Sequence, residues 1–236
     1  MTGLVLSCEH ASWMLPPDVD LLVPIDVVQS QAGWDHGAFE IAARLSDAIS
    51  LPAHAGAFSR MFVDLNRPAD HPDVIPTNSY GAAVPANLGL TAGDRAARIA
   101  MFHAPYWDAV RRDVTARLAD RGACLHLSSH SFDPALDRAA RTYELGVLYD
   151  PAHSFESEIA ERLLFSLRSS GFDVRANQPY SGVGPSICTA FRGEFTANRY
   201  AGIQIETSYL VTRTPTGCER VAIAISQFLH AVDRAT

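Results

Sequence analysis

Apolar and polar residues alternate along 124–133 (Cys-Leu-His-Leu-Ser-Ser-His-Ser-Phe-Asp), and a period of two marks a strand. Similar runs predict strands at 3–8, 57–66, 123–129, 145–149, 172–176 and 202–206. Helical spacing takes over at 36–50, where Phe39, Ala42, Ala43, Leu45, Ala48 and Ile49 share a face. It returns at 92–121, 154–170 and 216–234. Pro105 is expected to interrupt or restart the second of these helices. Asp35 stands just before the first, a natural N-cap position. Segments 11–34, 68–91, 130–143 and 177–200 carry the Pro, Gly and Asn breakers of loops. Strands and helices in alternation imply an α/β fold, three-layer α/β/α, with a mixed, mostly parallel sheet covered on both faces. Residues 1–236 are expected to form a single catalytic domain.

Composition narrows the function classes. All 19 basic residues are arginine, which excludes lysine Schiff-base chemistry and a P-loop lysine. A formal charge of −7 disfavours nucleic acid, so an anionic substrate has to be held by local arginines. No run of about 18 apolar residues predicts a membrane span. Cys8, Cys124, Cys188 and Cys218 fit no zinc or disulfide spacing and are expected to be reduced. The N-terminus runs straight into a strand, so a cytoplasmic location is expected.

Three predicted strands end on groups that suit metal chemistry. The first delivers His10, the central one His130, and 202–206 ends on Glu206. In open α/β sheets ligands and catalytic groups collect at the carboxyl ends of strands, and imidazole is the commonest metal ligand among side chains. The set points to a metal-assisted hydrolase. Glu9 and Asp35 are both candidates for a third ligand. His126 lies roughly 13 Å along a regular strand from His130, too far to share a metal, and is assigned to the core or to an outer supporting position.

Ser7-Cys8-Glu9-His10-Ala11-Ser12, Ser59-Arg60 with Asp64-Leu65-Asn66-Arg67-Pro68, and His126-Leu127-Ser128-Ser129-His130-Ser131-Phe132 resemble the N-formylglutamate amidohydrolase family. So do Asn177, Pro179-Tyr180-Ser181-Gly182 and Gly202-Ile203-Gln204-Ile205-Glu206, in the same order. The resemblance implies a zinc-carboxypeptidase or phosphorylase/hydrolase-like fold and one Zn2+ per chain. It implies His10 and His130 as ligands, with Asp35, similar to an Asp the family keeps at this helix start, preferred to Glu9 as the third. Glu206 becomes the general base. Asn66, Arg67 and Arg60 become the anchors of a substrate carboxylate, with Arg192 and Arg199, on the loop before the last strand, as further contacts. Two positions depart from the pattern: Trp13 stands where carboxypeptidases carry a ligand glutamate, and Glu206-Thr207-Ser208 replaces a Glu-x-Arg. The expected substrate is a small anionic N-acyl amino acid such as N-formyl-L-glutamate. A metallocarboxypeptidase acting on short peptides and a non-catalytic binding protein are the alternatives. Peptide turnover would mark the first, and indifference to Glu206 mutagenesis the second.

Overall fold

The computed structural model describes residues 2–136 and 141–234. A six-stranded sheet runs in the order β2-β1-β5-β8-β6-β7. Its strands are β1 (Gly3–Cys8), β2 (Ala53–Ala55), β5 (Cys124–Phe132), β6 (Leu145–Leu148), β7 (Val174–Ala176) and β8 (Tyr200–Ser208). The four neighbour pairs β1/β2, β1/β5, β5/β8 and β6/β7 are parallel, and β6/β8 alone is antiparallel. A separate two-residue hairpin joins β3 (Asn78–Ser79) to β4 (Ala82–Ala83).

Alternation along the strands decides which helices cover which face. Leu6, Leu125, Leu127, Ile203 and Ile205 point into one core with α1 (Ala38–Ile49), α4 (Ser154–Ser169) and α6 (Pro215–Arg234). Val5, Cys124 and Tyr200 face the other way, against Trp107, Val110 and Val114 of α3 (Ala104–Arg121) and Ile187, Cys188 and Phe191 of α5 (Ile187–Glu194). These helices make the three layers. The long helical segment begins at α2 (Ala92–Arg98), where Thr91 and Asp94 form a capping box. A π-helical turn at Ile99–His103 then precedes Pro105, whose missing N–H an unbroken α-helix would not tolerate. No described helix is long and apolar enough to cross a membrane.

Several expectations differ, beginning with β5, which runs through Phe132 where a loop is expected from residue 130. Residues 57–66 form turns, not a strand: Met61, Phe62 and Val63 are all buried in succession, and Phe62 N–H bonds back to Ser59 O. They pack with Leu21, Val28, Val74, Ile75 and Val84 into a separate small core that orders the long irregular segments. The expected loop at 177–200 contains α5, started by Ser186, whose hydroxyl accepts from Thr189 N–H. Asp35 is not the cap of α1; that position is Gly37, with φ +74.

Candidate metal centre and active site

β5 and β8 pair in register so that His130 lies opposite Glu206. His10 follows the end of β1, next to β5, and Asp35 enters from the loop before α1, where its N–H bonds to His10 O. His10, Asp35 and His130 are all buried, and one ligand atom from each lies within 4.8 Å of the others. His10 Nδ1 is 3.3 Å and His130 Nδ1 2.8 Å from Asp35 Oδ2. This cluster, Glu206, Arg60, Asn66 and Arg67 line one cavity of about 270 Å³, together with Tyr80, Tyr180, Ser186 and Gln204.

The outer nitrogens of both imidazoles face carboxylates. His10 Nε2 is 2.7 Å from Asp64 Oδ1, and His130 Nε2 is 3.1 Å from Glu9 Oε2. Glu9 is further held by the Ser128 and Tyr106 hydroxyls, which donate to it. It therefore sits behind His130, away from the cluster, which separates it from Asp35. Burial, with the Arg60 charge, pushes the His10 pKa down to about 4, so its ring is neutral near pH 7. A neutral ring has one N–H. Burial would raise Asp64, but His10, which is charged in the acid range where Asp64 titrates, and its hydrogen bond, with Arg67 and Arg60, outweigh it and keep the carboxyl well below its usual range. Burial likewise opposes ionisation of Glu9 and is outweighed by His130. With the His10 proton on Nε2 toward Asp64, its Nδ1 lone pair faces the Asp35 carboxylate. Lone pairs converging on one point suit a cation, and carboxylate-held outer nitrogens are the usual support of metal-binding histidines. The donor set fits a divalent ion.

Glu206 adds a second sign. It is 5% exposed, its Oε2 has no hydrogen-bond partner, and burial raises its pKa against the charges of His130 and Arg60. An unpartnered buried carboxylate oxygen at the cavity is a group waiting for a proton or a ligand.

The expected anchors differ in what they touch. Arg67 donates from Nη1 to Pro185 O at 2.6 Å, leaving further N–H donors at the cavity. Arg60 is tied to Asp35 through Nη2. Asn66 donates to Gln204 Oε1 at 3.1 Å and accepts from Ile187 N–H, so both its polar atoms serve the cavity wall. Arg192 and Arg199 are not brought to the cavity. Arg192 is buried and grips Glu156 at 2.8 and 2.9 Å, also donating to Gly182 O and Gly202 O. Arg199 precedes β8 at the opposite end of the sheet and donates to Leu118 O and Gly122 O. His126 is buried between Ser7 Oγ at 2.7 Å and Tyr200 OH at 2.9 Å, apart from the cluster.

Sequence reasoning missed Gln31, whose amide donates to Asp35 Oδ1 and to Ser131 O. It also missed His103 and Trp107, which reach Arg67 O and Leu65 O from α3 and its π-helical turn. It offers Glu9 as an alternative third ligand and Asp64 as part of the Ser59–Pro68 motif, and neither as the carboxylate behind a histidine.

The family model for N-formylglutamate amidohydrolase matches residues 2–211. A gene product of known structure from Agrobacterium tumefaciens is 26% identical, covering 98% of this chain and 92% of its own, with a TM-score of 0.85. An N-formylglutamate amidohydrolase from Ralstonia eutropha is similar in fold, at 19% identity and a TM-score of 0.81, covering 100% of this chain and 95% of its own. No curated protein matches.

Proposed function

The chain belongs to the N-formylglutamate amidohydrolase family, and from that premise we propose that it hydrolyses a small anionic N-acyl amino acid, N-formyl-L-glutamate foremost. The products are formate and the free amino acid. One observation carries the reading: the His10–Asp35–His130 cluster shares a cavity with a buried Glu206 whose Oε2 has no hydrogen-bond partner.

His10, Asp35 and His130 would hold one ion per chain, Zn2+ in this reading. When bound it would supply Lewis-acid polarisation of the scissile carbonyl and a water of lowered pKa, toward ~7. The chain's own residues do the rest. Glu206 Oε2 takes the proton of the attacking water as its oxygen adds to the carbonyl carbon. The same carboxyl then hands that proton to the amide nitrogen as the C–N bond breaks. Its raised pKa keeps the carboxyl a competent proton carrier. Arg67 binds the amino-acid carboxylate through its remaining N–H donors. Arg60 neutralises Asp35 and holds its carboxylate in place.

Glu206→Gln tests the assignment. It is nearly isosteric, so the variant should retain metal and bind substrate while kcat for formate release falls by ~10²–10⁴-fold. Loss of metal would make Glu206 a ligand, and full turnover would remove it from the mechanism.

A further inference from the structure

The hydroxyls of Tyr80 and Tyr180 lie 3.0 Å apart, and both side chains line the cavity. They come from parts of the chain 100 residues apart. Tyr80 is the first central residue of the β3–β4 hairpin turn, at φ +49, followed by Gly81 at φ +86. Two-residue turns with both central φ values positive favour Asn or Asp followed by Gly, and a bulky residue there is an outlier. Gly81 follows the rule and Tyr80 breaks it. Such outliers persist where surrounding contacts hold them, and they cluster at functional sites.

The contacts at Tyr80 are specific. The Arg60 guanidinium lies 5.6 Å from the centre of its ring, and Arg60 is bound to Asp35. Tyr80 therefore stands on the metal-cluster side. Tyr180 sits on the 177–186 wall with the Arg141 guanidinium 5.2 Å from its ring centre. Gly146 pairs with Glu206 across the sheet, and a side chain there would meet both Gln178 O and Glu206 Cβ, so the segment carrying Tyr180 runs beside Glu206. The bridge thus ties the two sides of the reacting centre together.

We infer that the Tyr80–Tyr180 hydroxyl pair is a specificity-determining roof that admits formyl-sized acyl groups and excludes longer acyl chains and peptides. The inference rests on the reading above, in which the cluster and Glu206 flank the scissile amide. A longer acyl chain leaves the carbonyl carbon through the space the bridge crosses. It must part the two hydroxyls and break the hydrogen bond between them, leaving Tyr180 with Arg141 alone. A formyl hydrogen asks for no such opening.

The test compares N-formyl-, N-acetyl- and N-hexanoyl-L-glutamate on metal-loaded wild type, Tyr180→Phe and Tyr80→Gly. Phe removes the bridge and keeps the ring; Gly suits the turn and removes the roof. Turnover is measured on these proteins and calorimetric binding in the Glu206→Gln background. The hexanoyl-to-formyl ratio of kcat/KM, and of binding constants, should rise about tenfold or more in Tyr80→Gly and less in Tyr180→Phe. Ratios unchanged in both variants overturn the roof. If no protein hydrolyses any of the three, the amidohydrolase reading fails by itself. The binding ratios then decide the roof alone, a rise supporting it and constancy overturning it.

Discussion

Arg192→Met separates the role expected of Arg192 from the role its surroundings give it. The guanidinium is 4% exposed and its partner Glu156 0%, with two nitrogens on two carboxylate oxygens. Two further bonds run to Gly182 O and Gly202 O. Removing one partner of a buried pair costs about 3–5 kcal/mol, because the other charge stays buried alone. For a chain of this size each kcal/mol lowers Tm by roughly 2–4 °C, so the fall should be about 10 °C. Adding Glu156→Met should recover only part of it. The pair is then replaced by apolar groups, but Gly202 N–H and Asp150 N–H lose their acceptor on Glu156. Gly182 lies on the segment carrying Tyr180 and Ser181, so a secondary rise in KM should accompany the loss of stability. Urea unfolding and steady-state kinetics on both variants check this. Near wild-type stability combined with a large KM increase would refute it and put Arg192 on the substrate.

Three further outcomes follow from the same geometry. Arg67→Lys keeps the charge and loses the planar fork, so KM for N-formyl-L-glutamate should rise strongly in steady-state assays, with kcat less affected. Glu9→Gln weakens the support behind His130 without removing a proposed ligand, and competition with a chelator should show a loss in metal affinity of about 10–100-fold. His126 is buried and neutral, burial having pushed its pKa from 6.5 to about 4. The unfolded chain binds that proton first, so this stability is full above pH 6.5 and falls as pH drops toward 4, by about 3 kcal/mol. Denaturant titrations of His126→Gln across this range should show an acid limb flatter by that amount.

Much of the sheet was legible because its strands carry uninterrupted burial patterns. Gly3–Cys8, Cys124–Phe132 and Tyr200–Ser208 alternate between two cores, and their ends were readable as the places where His10, His130 and Glu206 gather. Segment 57–66 misled because its apolar residues satisfy a small core built from distant loops, and no local period encodes that. Asp35 was readable both as a helix cap and as a ligand candidate, and its side-chain position beside both histidines favours the second. Arg192 and Arg199 carried the right charge at the right distance along the chain. Sequence distance does not say which end of a strand a neighbouring loop serves, nor that a glutamate 36 residues earlier waits inside the fold for Arg192. The outer carboxylates, Gln31 and the Tyr80–Tyr180 bridge depend on tertiary pairings that leave no periodic trace.

The central claim is that His10, Asp35 and His130 together hold one catalytic ion. Metal content by mass spectrometry, on wild type and on Asp35→Ala with urea unfolding as the control for folding, tests it most directly. The account predicts about one zinc per wild-type chain and little or none in folded Asp35→Ala. Full zinc occupancy in a folded Asp35→Ala, or none in an active wild type, would contradict it.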